Sequence, residues 1–448
     1  MGTLIKNAEI ANEGRRFRGA LLIEGECIAD VLEGDDAALA TQLEQIASRT
    51  PQIEIIDAEG ALLLPGIIDT HVHFREPGLT HKADIEHESR AALAGGVTSV
   101  MDMPNVVPPT TSIERWEERM LLGKQHSRVN YAYYLGATNE ADSALSNPIP
   151  IKLFMGSSTG NMLVDRREAL LRVFRQGAEF ADRYPIVAHC EDTPRISNRM
   201  AEAQKRWGDD PAAEHHPWIR DAEACYRSSS LAVELAEQTG ARLHIAHVTT
   251  ERELELINPG KGVTGEVCVA HLLFCEEDYA TLGTRIKCNP AVKSKRDRDA
   301  LRQALADGRL LTIATDHAPH LLSEKQGGCR TAASGMPMVQ FSLVSMLGLV
   351  DEGVLSLTRM VDAMCHQPAL LFSIPQRGFL RKGYKADLTI VGRKEWTLEA
   401  GHILSKCGWS PLEGRTLHWQ VKHTFVNGHH AYDRGHIDDS HRGQHLLG

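Results

Sequence analysis

The sequence predicts an α/β fold, a (β/α)8 barrel of the TIM type with a small β-sandwich domain built from both chain ends. Three observations support this class. Eight β-like runs alternate with helix-like runs in the middle of the chain, further β-like runs occur at both ends, and 448 residues are enough for both parts. We expect residues 61–375 to form the barrel, and residues 1–60 together with 376–448 to form the β domain.

Short β-like runs punctuated by Gly and Pro begin and end the chain. They cover residues 3–10, 19–28 and 53–57 at the start, and 386–391 and 419–427 at the end. We interpret these runs as one small β domain that draws on both termini.

The middle of the chain repeats a strand-then-helix pattern. Its β-like runs are residues 66–69, 97–103, 129–135, 150–155, 185–189, 242–248, 262–269 and 310–315. Helical patterns such as residues 166–183 and 229–240 separate most of these runs. Eight βα units predict a barrel, which typically takes about 250 residues before insertions.

The bulk composition argues against several classes of protein. A net charge of −10 argues against a nucleic-acid partner. The first residues lack the apolar core of a signal peptide, and the longest apolar stretch, 339–350, is too short to span a membrane. Nine scattered cysteines without a C-x-x-C pair favour a reduced, cytoplasmic environment. The sequence leaves a homodimer open.

Histidine is unusually abundant, with 22 residues, and its placement indicates a metal site. Barrel enzymes carry their catalytic groups at the carboxyl ends of the strands. Five potential metal ligands stand at the ends of four predicted strands, and the alternative is that they are ordinary polar loop residues: His71, His73, His189, His247 and Asp316.

Lys152 lies in the fourth predicted strand and requires separate treatment. A free lysine is cationic and repels a metal ion. A carbamate formed from its neutral amine and CO₂ would be anionic and could bridge two cations. The alternative is a surface or salt-bridged lysine.

Six ordered segments resemble the dihydroorotase family of the amidohydrolase superfamily. They are 66–78 with the pattern H-x-H-x-R-E-P-G, 103–105 (M-P-N), 152–155 (K-L-F-M), 188–192 (A-H-C-E-D), 246–249 (A-H-V-T) and 315–320 (T-D-H-A-P-H). Residues 385–388 and 426–428 also resemble the β domain of this superfamily. The resemblance therefore extends over nearly the whole chain.

The resemblance implies a site with two zinc ions that hydrolyses dihydroorotate reversibly to N-carbamoyl-L-aspartate in pyrimidine biosynthesis. His71, His73 and Asp316 would hold one Zn²⁺, and His189 and His247 would hold the other. Carbamylated Lys152 and a hydroxide would bridge the two ions. Asp316 would also take a proton from the hydroxide and deliver it to the leaving nitrogen.

The resemblance also implies residues that bind the substrate. Arg75, Asn105 and His320 would contact its carboxylate, and Asn289 would contact the ring. Thr159, in a loop that follows Lys152, would lie over the substrate. Alternatives are a surface ion pair for Arg75, a turn before Pro290 for Asn289, and an ordinary βα turn around Thr159.

Two departures from the family pattern concern the loops around the substrate. Lys293 stands where the family often has Arg, and Ala332-Ala333 replaces the usual A-P. Two competing hypotheses remain: a hydantoinase or allantoinase, whose neutral substrates need no arginine, and a catalytically silent scaffold. We expect His429, His430 and the histidines from 436 to 445 to be solvated surface, with a metal-binding tail as the alternative.

Overall fold

The computed structural model describes residues 2–49, 52–140, 143–156 and 162–447. In this part of the chain the strands are β1 (Gly2–Asn12), β2 (Arg15–Glu24), β3 (Cys27–Glu33), β4 (Glu54–Asp57), β5 (Leu62–Pro65), β6 (Ile67–Val72), β7 (Val97–Asp102), β8 (Asn130–Tyr133), β9 (Leu135–Gly136), β10 (Ile151–Phe154), β11 (Ile186–His189), β12 (Leu243–Ile245), β13 (Val263–Cys268), β14 (Thr312–Ala314), β15 (Leu388–Thr397), β16 (Thr416–Val426), β17 (His429–Asp433) and β18 (His436–Ile437).

Strands from both chain ends form one mixed nine-stranded sheet. Its order is β18-β17-β16-β15-β5-β1-β2-β3, with β4 paired to β1. The junction between the two ends is the antiparallel pair of β5 and β15, in which Leu63 opposes Ile390. Leu63, Ile390 and Phe425 are fully buried in the core of this region.

The middle of the chain forms two parallel sheets. One has the order β14-β13-β12-β11-β10-β9, and the other has the order β6-β7-β8. The sheets adjoin at two places, because only Tyr134 separates β8 from β9 and because Val72 forms a parallel bridge with His317. Each predicted run overlaps a strand, which confirms the α/β class.

Helices alternate with these strands. They are α1 (Asp36–Arg49), α2 (Ile85–Ala94), α3 (Ile113–His126), α4 (Arg167–Ala178), α5 (Thr193–Trp207), α6 (His216–Ile219), α7 (Ala222–Thr239), α8 (Val269–Leu273), α9 (Tyr279–Leu282), α10 (Lys295–Ala306), α11 (Ser342–Asp351), α12 (Leu357–Val361) and α13 (Gln367–Leu371). Asp84, Asp192 and Asp221 cap α2, α5 and α7 by accepting backbone N–H groups. Gly240, with φ +78°, ends α7 in the left-handed conformation.

Most positions of the parallel strands are buried. Every residue of β6, β7, β11 and β13 is buried, as expected when helices cover one face of a parallel sheet and side chains fill the other. Polar residues in these strands are therefore costly unless they are paired, and they mark the functional region.

Residues 443–446 lie against β8, so the expectation of a solvated tail is wrong for His445, whereas His436 is exposed as expected. His445 forms a parallel bridge with Tyr131, and Leu446 is buried. Gly443 lets this segment lie close to the start of β8, because a Cβ at this position would come within 1.8 Å of the Val129 carbonyl oxygen.

No helix in the described ranges has the length and apolar character needed to cross a membrane. All nine cysteines lie within these ranges, and none of them forms a disulfide.

Candidate metal centre

The predicted ligands come together where the parallel strands end. His71 lies near the end of β6 and His189 ends β11, while Asp316 follows β14 by two residues. His247 follows β12 by two residues, and Lys152 lies within β10. Because parallel strands end on the same side of their sheet, their terminal side chains converge.

Asp316 joins the first two histidines. Its Oδ1 lies 3.0 Å from Nε2 of His73 and 3.4 Å from Nε2 of His71. The Asp316 carboxylate therefore lies between the two imidazoles. Donors about 3.4 Å apart are what a tetrahedral ion with metal–nitrogen bonds of about 2.0–2.1 Å requires.

His189 and His247 form a second pair. Nδ1 of His189 lies 3.0 Å from Nε2 of His247, with the rings nearly perpendicular. The two pairs adjoin each other, because donor atoms of His71, His247 and Asp316 all lie within 4.8 Å of one another. The five side chains thus form one continuous cluster.

Polar neighbours orient three of the four imidazoles toward this cluster. Glu266 contacts Nδ1 of His71 closely, and Oδ1 of Asn105 lies 2.8 Å from Nδ1 of His73. Glu191 lies 3.1 Å from Nε2 of His189. Such contacts fix the ring orientation and tautomer of histidines that bind metal ions.

Lys152 is fully buried, which excludes the alternative of a surface lysine. Its Nζ makes no hydrogen bond in the described part of the chain, which also argues against a salt-bridged lysine. Burial lowers the pKa of Lys152, although the nearby carboxylates Glu266 and Asp316 oppose that shift. A larger fraction of neutral amine follows, and this is the form that reacts with CO₂.

Three residues of the site have a left-handed backbone. The φ angles are +68° for Arg75, +37° for His247 and +47° for Asp316. Such angles are unfavourable for residues other than glycine, by about 1–3 kcal/mol each. Their concentration here indicates that the fold holds these side chains in positions that the backbone alone would not choose.

The protonation states suit metal binding. Burial lowers the pKa of His73 to about 4 and also lowers the pKa of His189 and His247, so their imidazoles are neutral. Burial alone would raise the pKa of Asp316, but His71 and His73 lower it below its ordinary value. Neutral imidazoles and an ionised carboxylate are the forms that bind a divalent ion.

A cavity of about 360 Å³ opens directly onto this cluster. Arg75, Asn105 and Asn289 line it, together with Ser334 and Gly335 from the loop after β14. The buried Arg75 excludes the alternative of a surface ion pair, and burial lowers the pKa of its guanidinium only to about 10. It therefore stays cationic at neutral pH.

His320 lies behind Arg75 and is not among the described residues that line the cavity. Its Nε2 is 3.1 Å from Nη2 of Arg75 and 3.1 Å from the Ser334 carbonyl oxygen, and Lys82 contacts its other nitrogen. In this structure His320 supports Arg75. Its expected contact with the substrate remains a prediction.

The other predicted residues differ in their placement. Asn105 lines the cavity while its Oδ1 faces His73, and Oδ1 of Asn289 lies 3.1 Å from Nε2 of His216. Lys293 is buried and donates to the Ala291 carbonyl. Thr159 lies outside the described residues.

Three buried carboxylates of the site were not predicted from the sequence. They are Asp69, Glu191 and Glu266. Asp69 accepts from the Thr315 hydroxyl at 2.5 Å and so ties β6 to the end of β14, and Arg220 pairs with Glu191. The only signal in the sequence is a charged residue inside or beside a run of apolar strand residues, as for Glu266 in T-G-E-V-C.

The donor set fits a divalent metal ion. The cluster supplies imidazole nitrogens and a carboxylate at suitable separations, and the unpartnered Lys152 Nζ is explained if that amine gains a group that binds a cation. A pair of ions about 3.5–4 Å apart is a recurrent arrangement in hydrolases.

Comparisons with known proteins agree with this chemistry. The model of the amidohydrolase family matches residues 62–149 and 166–430. A dihydroorotase of Halobacterium salinarum is 34% identical over 406 residues, 89% of this chain and 92% of that protein. A dihydroorotase of Lactiplantibacillus plantarum is 34% identical over 447 residues, 97% of this chain and 99% of that protein.

Two solved structures have a similar fold. The L-hydantoinase (dihydropyrimidinase) of Arthrobacter aurescens superposes with a TM-score of 0.86 at 25% identity and covers 97% of both chains. The dihydropyrimidinase of Brevibacillus agri superposes with a TM-score of 0.89 at 22% identity, over 100% of this chain and 98% of that one.

Proposed function

The chain belongs to the amidohydrolase family, and from this premise we propose that it is a dihydroorotase. The enzyme hydrolyses the cyclic amide of dihydroorotate to N-carbamoyl-L-aspartate and catalyses the reverse ring closure in pyrimidine biosynthesis. The observation that carries the proposal is a buried, charged Arg75 in the wall of the cavity that faces the metal ligands.

We infer that the two parallel sheets together form a single (β/α)8 barrel over residues 61–375. The parallel bridge between Val72 and His317 and the short step from β8 to β9 support this closure. Residues 1–60 and 376–448 would then form the β domain. The site would lie at the carboxyl ends of the barrel strands, where such barrels carry their catalytic groups.

Two zinc ions would occupy the cluster. His71, His73 and Asp316 would hold one ion, His189 and His247 the other, and carbamylated Lys152 would bridge them. The carbamate forms when the neutral Nζ attacks CO₂ and releases one proton. When bound, the ions would polarise the amide carbonyl and supply hydroxide at neutral pH.

Asp316 would move the proton in this reaction. Its Oδ1 lies 3.0 Å from Nε2 of His73, so the carboxylate points into the cluster. It would accept a proton from the attacking hydroxide and donate it to the ring nitrogen as the amide bond breaks. The lowered pKa of Asp316 keeps the carboxylate ionised, which is the form that can accept a proton.

Arg75 would bind the substrate carboxylate and so fix the ring against the cluster. Its Nε donates to the Pro319 carbonyl at 3.1 Å, and His320 contacts Nη2, so the guanidinium has one preferred orientation. A planar guanidinium held in this way binds a carboxylate with two parallel hydrogen bonds. Neutral hydantoins offer no such partner.

An assay of three substrates tests the proposal. With zinc added, the chain should turn over dihydroorotate and N-carbamoyl-L-aspartate, and it should be much less active on hydantoin and allantoin. Activity on hydantoin or allantoin alone would overturn the proposal in favour of the competing cyclic amidohydrolases. Absence of turnover with every substrate would favour the silent scaffold.

The variant Arg75→Lys distinguishes the contribution of the paired guanidinium hydrogen bonds from that of the positive charge. Lysine keeps the positive charge and loses the paired hydrogen bonds, so kcat/KM for dihydroorotate should fall about 10²-fold or more, as for a lost charge-assisted hydrogen bond of about 3 kcal/mol. Any residual activity on hydantoin should change little. An equal loss on both substrates would show that Arg75 supports the fold of the site rather than the carboxylate.

A further inference from the structure

A second group of histidines lies in the nine-stranded sheet. It is separate from the strand-end cluster, which we define as His71, His73, His189, His247 and Asp316. His423 is in β16, and His430 and Asp433 are in β17. In the antiparallel ladder His423 is opposite Asp433, and Phe425 is opposite His430. These four side chains therefore project from one face of the hairpin.

A bulge in the hairpin makes this arrangement feasible. The register shifts between Thr424 and Phe425, so that β17 contains one extra residue, Ala431. Residues three apart in a regular strand point to opposite faces. With the bulge, His430 and Asp433 point to the same face, and His423 lies between them.

The three polar side chains converge on one point. Nδ1 of His423 lies 3.1 Å from Nε2 of His430 and 3.1 Å from Oδ1 of Asp433. The three donor atoms all lie within 4.8 Å of one another. Phe425 fixes the His430 ring by stacking on it, with ring centres 4.5 Å apart.

A carboxylate from the other end of the chain supports His430. Oε1 of Glu54, in β4, lies 3.5 Å from Nδ1 of His430. This contact favours the proton on Nδ1 and leaves the lone pair of Nε2 directed at His423. A carboxylate behind a histidine in this way is the usual outer partner of a metal-binding imidazole.

Hydrogen bonds among the three side chains cannot satisfy both His430 and Asp433. Nε2 of His430 and Oδ1 of Asp433 are both acceptors, and both face Nδ1 of His423, which carries at most one proton. A cation at the centre would accept all three lone pairs. Two imidazoles and a carboxylate form a donor set that zinc prefers.

We propose that His423, His430 and Asp433 form a structural zinc site on the β16–β17 hairpin of the nine-stranded sheet. Water would complete the coordination, and Glu54 would link β4 to the site through His430. The Asp433 side chain is 52% exposed, so an ion can enter from solvent. This inference does not depend on the proposed catalytic function.

Zinc content of the full-length chain tests the site. The chain should be equilibrated with buffered free zinc, and the zinc bound per chain should then be measured by elemental mass spectrometry. We expect His430→Gln and Asp433→Asn each to bind about one zinc ion fewer per chain than the parent and to keep the parent's dihydroorotate turnover. The matched control is His418→Gln, which removes an exposed β16 histidine that pairs with Glu395 at 3.4 Å and should keep the full zinc content.

A second measurement needs no variant. Acylation by diethyl pyrocarbonate, followed by peptide mass spectrometry, should modify His430 at least fivefold more slowly in the zinc-loaded chain than in the chelated chain. His418 should react equally in both states. Equal modification of His430 with and without zinc, or unchanged zinc content in both variants, would overturn the site and would leave the catalytic proposal unaffected.

Discussion

Glu266 controls the first imidazole of the strand-end cluster. It contacts Nδ1 of His71 and also accepts the backbone N–H of His247 at 3.1 Å, so one carboxylate positions a ligand of each predicted ion. Burial alone would raise the pKa of Glu266, but His71 lowers it well below its ordinary value. The carboxylate therefore stays ionised and keeps the proton of His71 on Nδ1.

The variant Glu266→Gln should weaken metal binding. The amide keeps the size of the side chain and loses the charge that fixes the tautomer of His71, so zinc affinity should fall about 10–100-fold. Competition with a zinc chelator measures this change. Glu253→Gln is the matched control, because Glu253 is a buried carboxylate bonded to Ser229 and Thr250 instead of a ligand. An equal loss in both variants would contradict the role of Glu266.

Replacement of Lys152 should remove both activity and metal. Lys152→Ala deletes the proposed bridge between the ions, so we expect turnover to be lost and zinc content to fall, with partial recovery in added acetate or propionate. Lys293→Met, which removes another buried lysine, should keep its zinc content. Full activity of Lys152→Ala would refute the carbamate.

Among single residues, the metal ligands can be predicted from the sequence more readily than the residues that orient them. His71 and His73 are recognisable from their spacing after a strand, and Asp316 from the D-H-A-P-H motif. Glu266 lies 195 residues from His71, and no local pattern connects the two. Pairings of this kind depend on the neighbours of each strand, which only the assembled sheet defines.

One histidine beside a short helix contacts the first hairpin of the nine-stranded sheet. His366 directly precedes α13, and its Nδ1 donates to the Gly378 carbonyl at 2.6 Å. Its Nε2 accepts the backbone N–H of Glu13, in the turn between β1 and β2, at 3.0 Å. The ring stacks on Phe379. A neutral imidazole thus connects the helical layer to the first hairpin.

The stability that His366 contributes should depend on pH. Burial lowers the pKa of His366 below 6.5, so the unfolded chain binds its proton more tightly than the folded chain does. The contribution is complete above about pH 6.5 and is lost as the pH falls toward the folded pKa. His366→Gln should therefore be less stable than the parent by about 1 kcal/mol at pH 7.5, and the difference should shrink at pH 5.

Thermal unfolding of both chains at pH 7.5, 6.0 and 5.0 measures this effect, with His418→Gln as an exposed-histidine control. A stability difference between His366→Gln and the parent that stays constant with pH would contradict the inference that neutral His366 stabilises the fold.

Element ends are where the sequence pattern and the structure differ. The run 242–248 contains β12 only over Leu243–Ile245, because His247 adopts φ +37°, which no strand accommodates. The helical pattern 166–183 gives α4 only to Ala178, after which short turns lead to β11. Hydrophobic periodicity locates an element, whereas the backbone demands of a neighbouring site determine where it ends.

Asp387 connects the parallel sheets to the nine-stranded sheet. It is buried and pairs with Arg377, and it accepts from Asn130 of β8 at 3.1 Å and from the backbone N–H of Asn427 at 2.7 Å. Its backbone carbonyl also accepts from Gly66 at 2.9 Å. Through its carboxylate and its backbone carbonyl, this one residue therefore holds four separate segments of the chain.

The variant Asp387→Asn should destabilise the whole molecule. It leaves the buried Arg377 without a counter-charge, which costs about 3–5 kcal/mol for a broken buried pair. Denaturant unfolding should show a lower midpoint, while zinc affinity at the strand-end cluster changes little. Glu33→Gln, which breaks an exposed pair with Arg15, should change stability by less than about 1 kcal/mol. Similar effects in the two variants would contradict the role of Asp387.

Pairing of the two termini has a consequence for synthesis on the ribosome. Asn12 forms two hydrogen bonds with Leu380, 368 residues later. At about 5–20 residues per second, the open edge of β5 has no partner for tens of seconds while the rest of the chain emerges. Unpaired strand edges recruit other chains. Slow translation or crowded polysomes should therefore favour aggregation of nascent chains, and a chaperone that covers β1 and β5 until β15 appears would raise the yield.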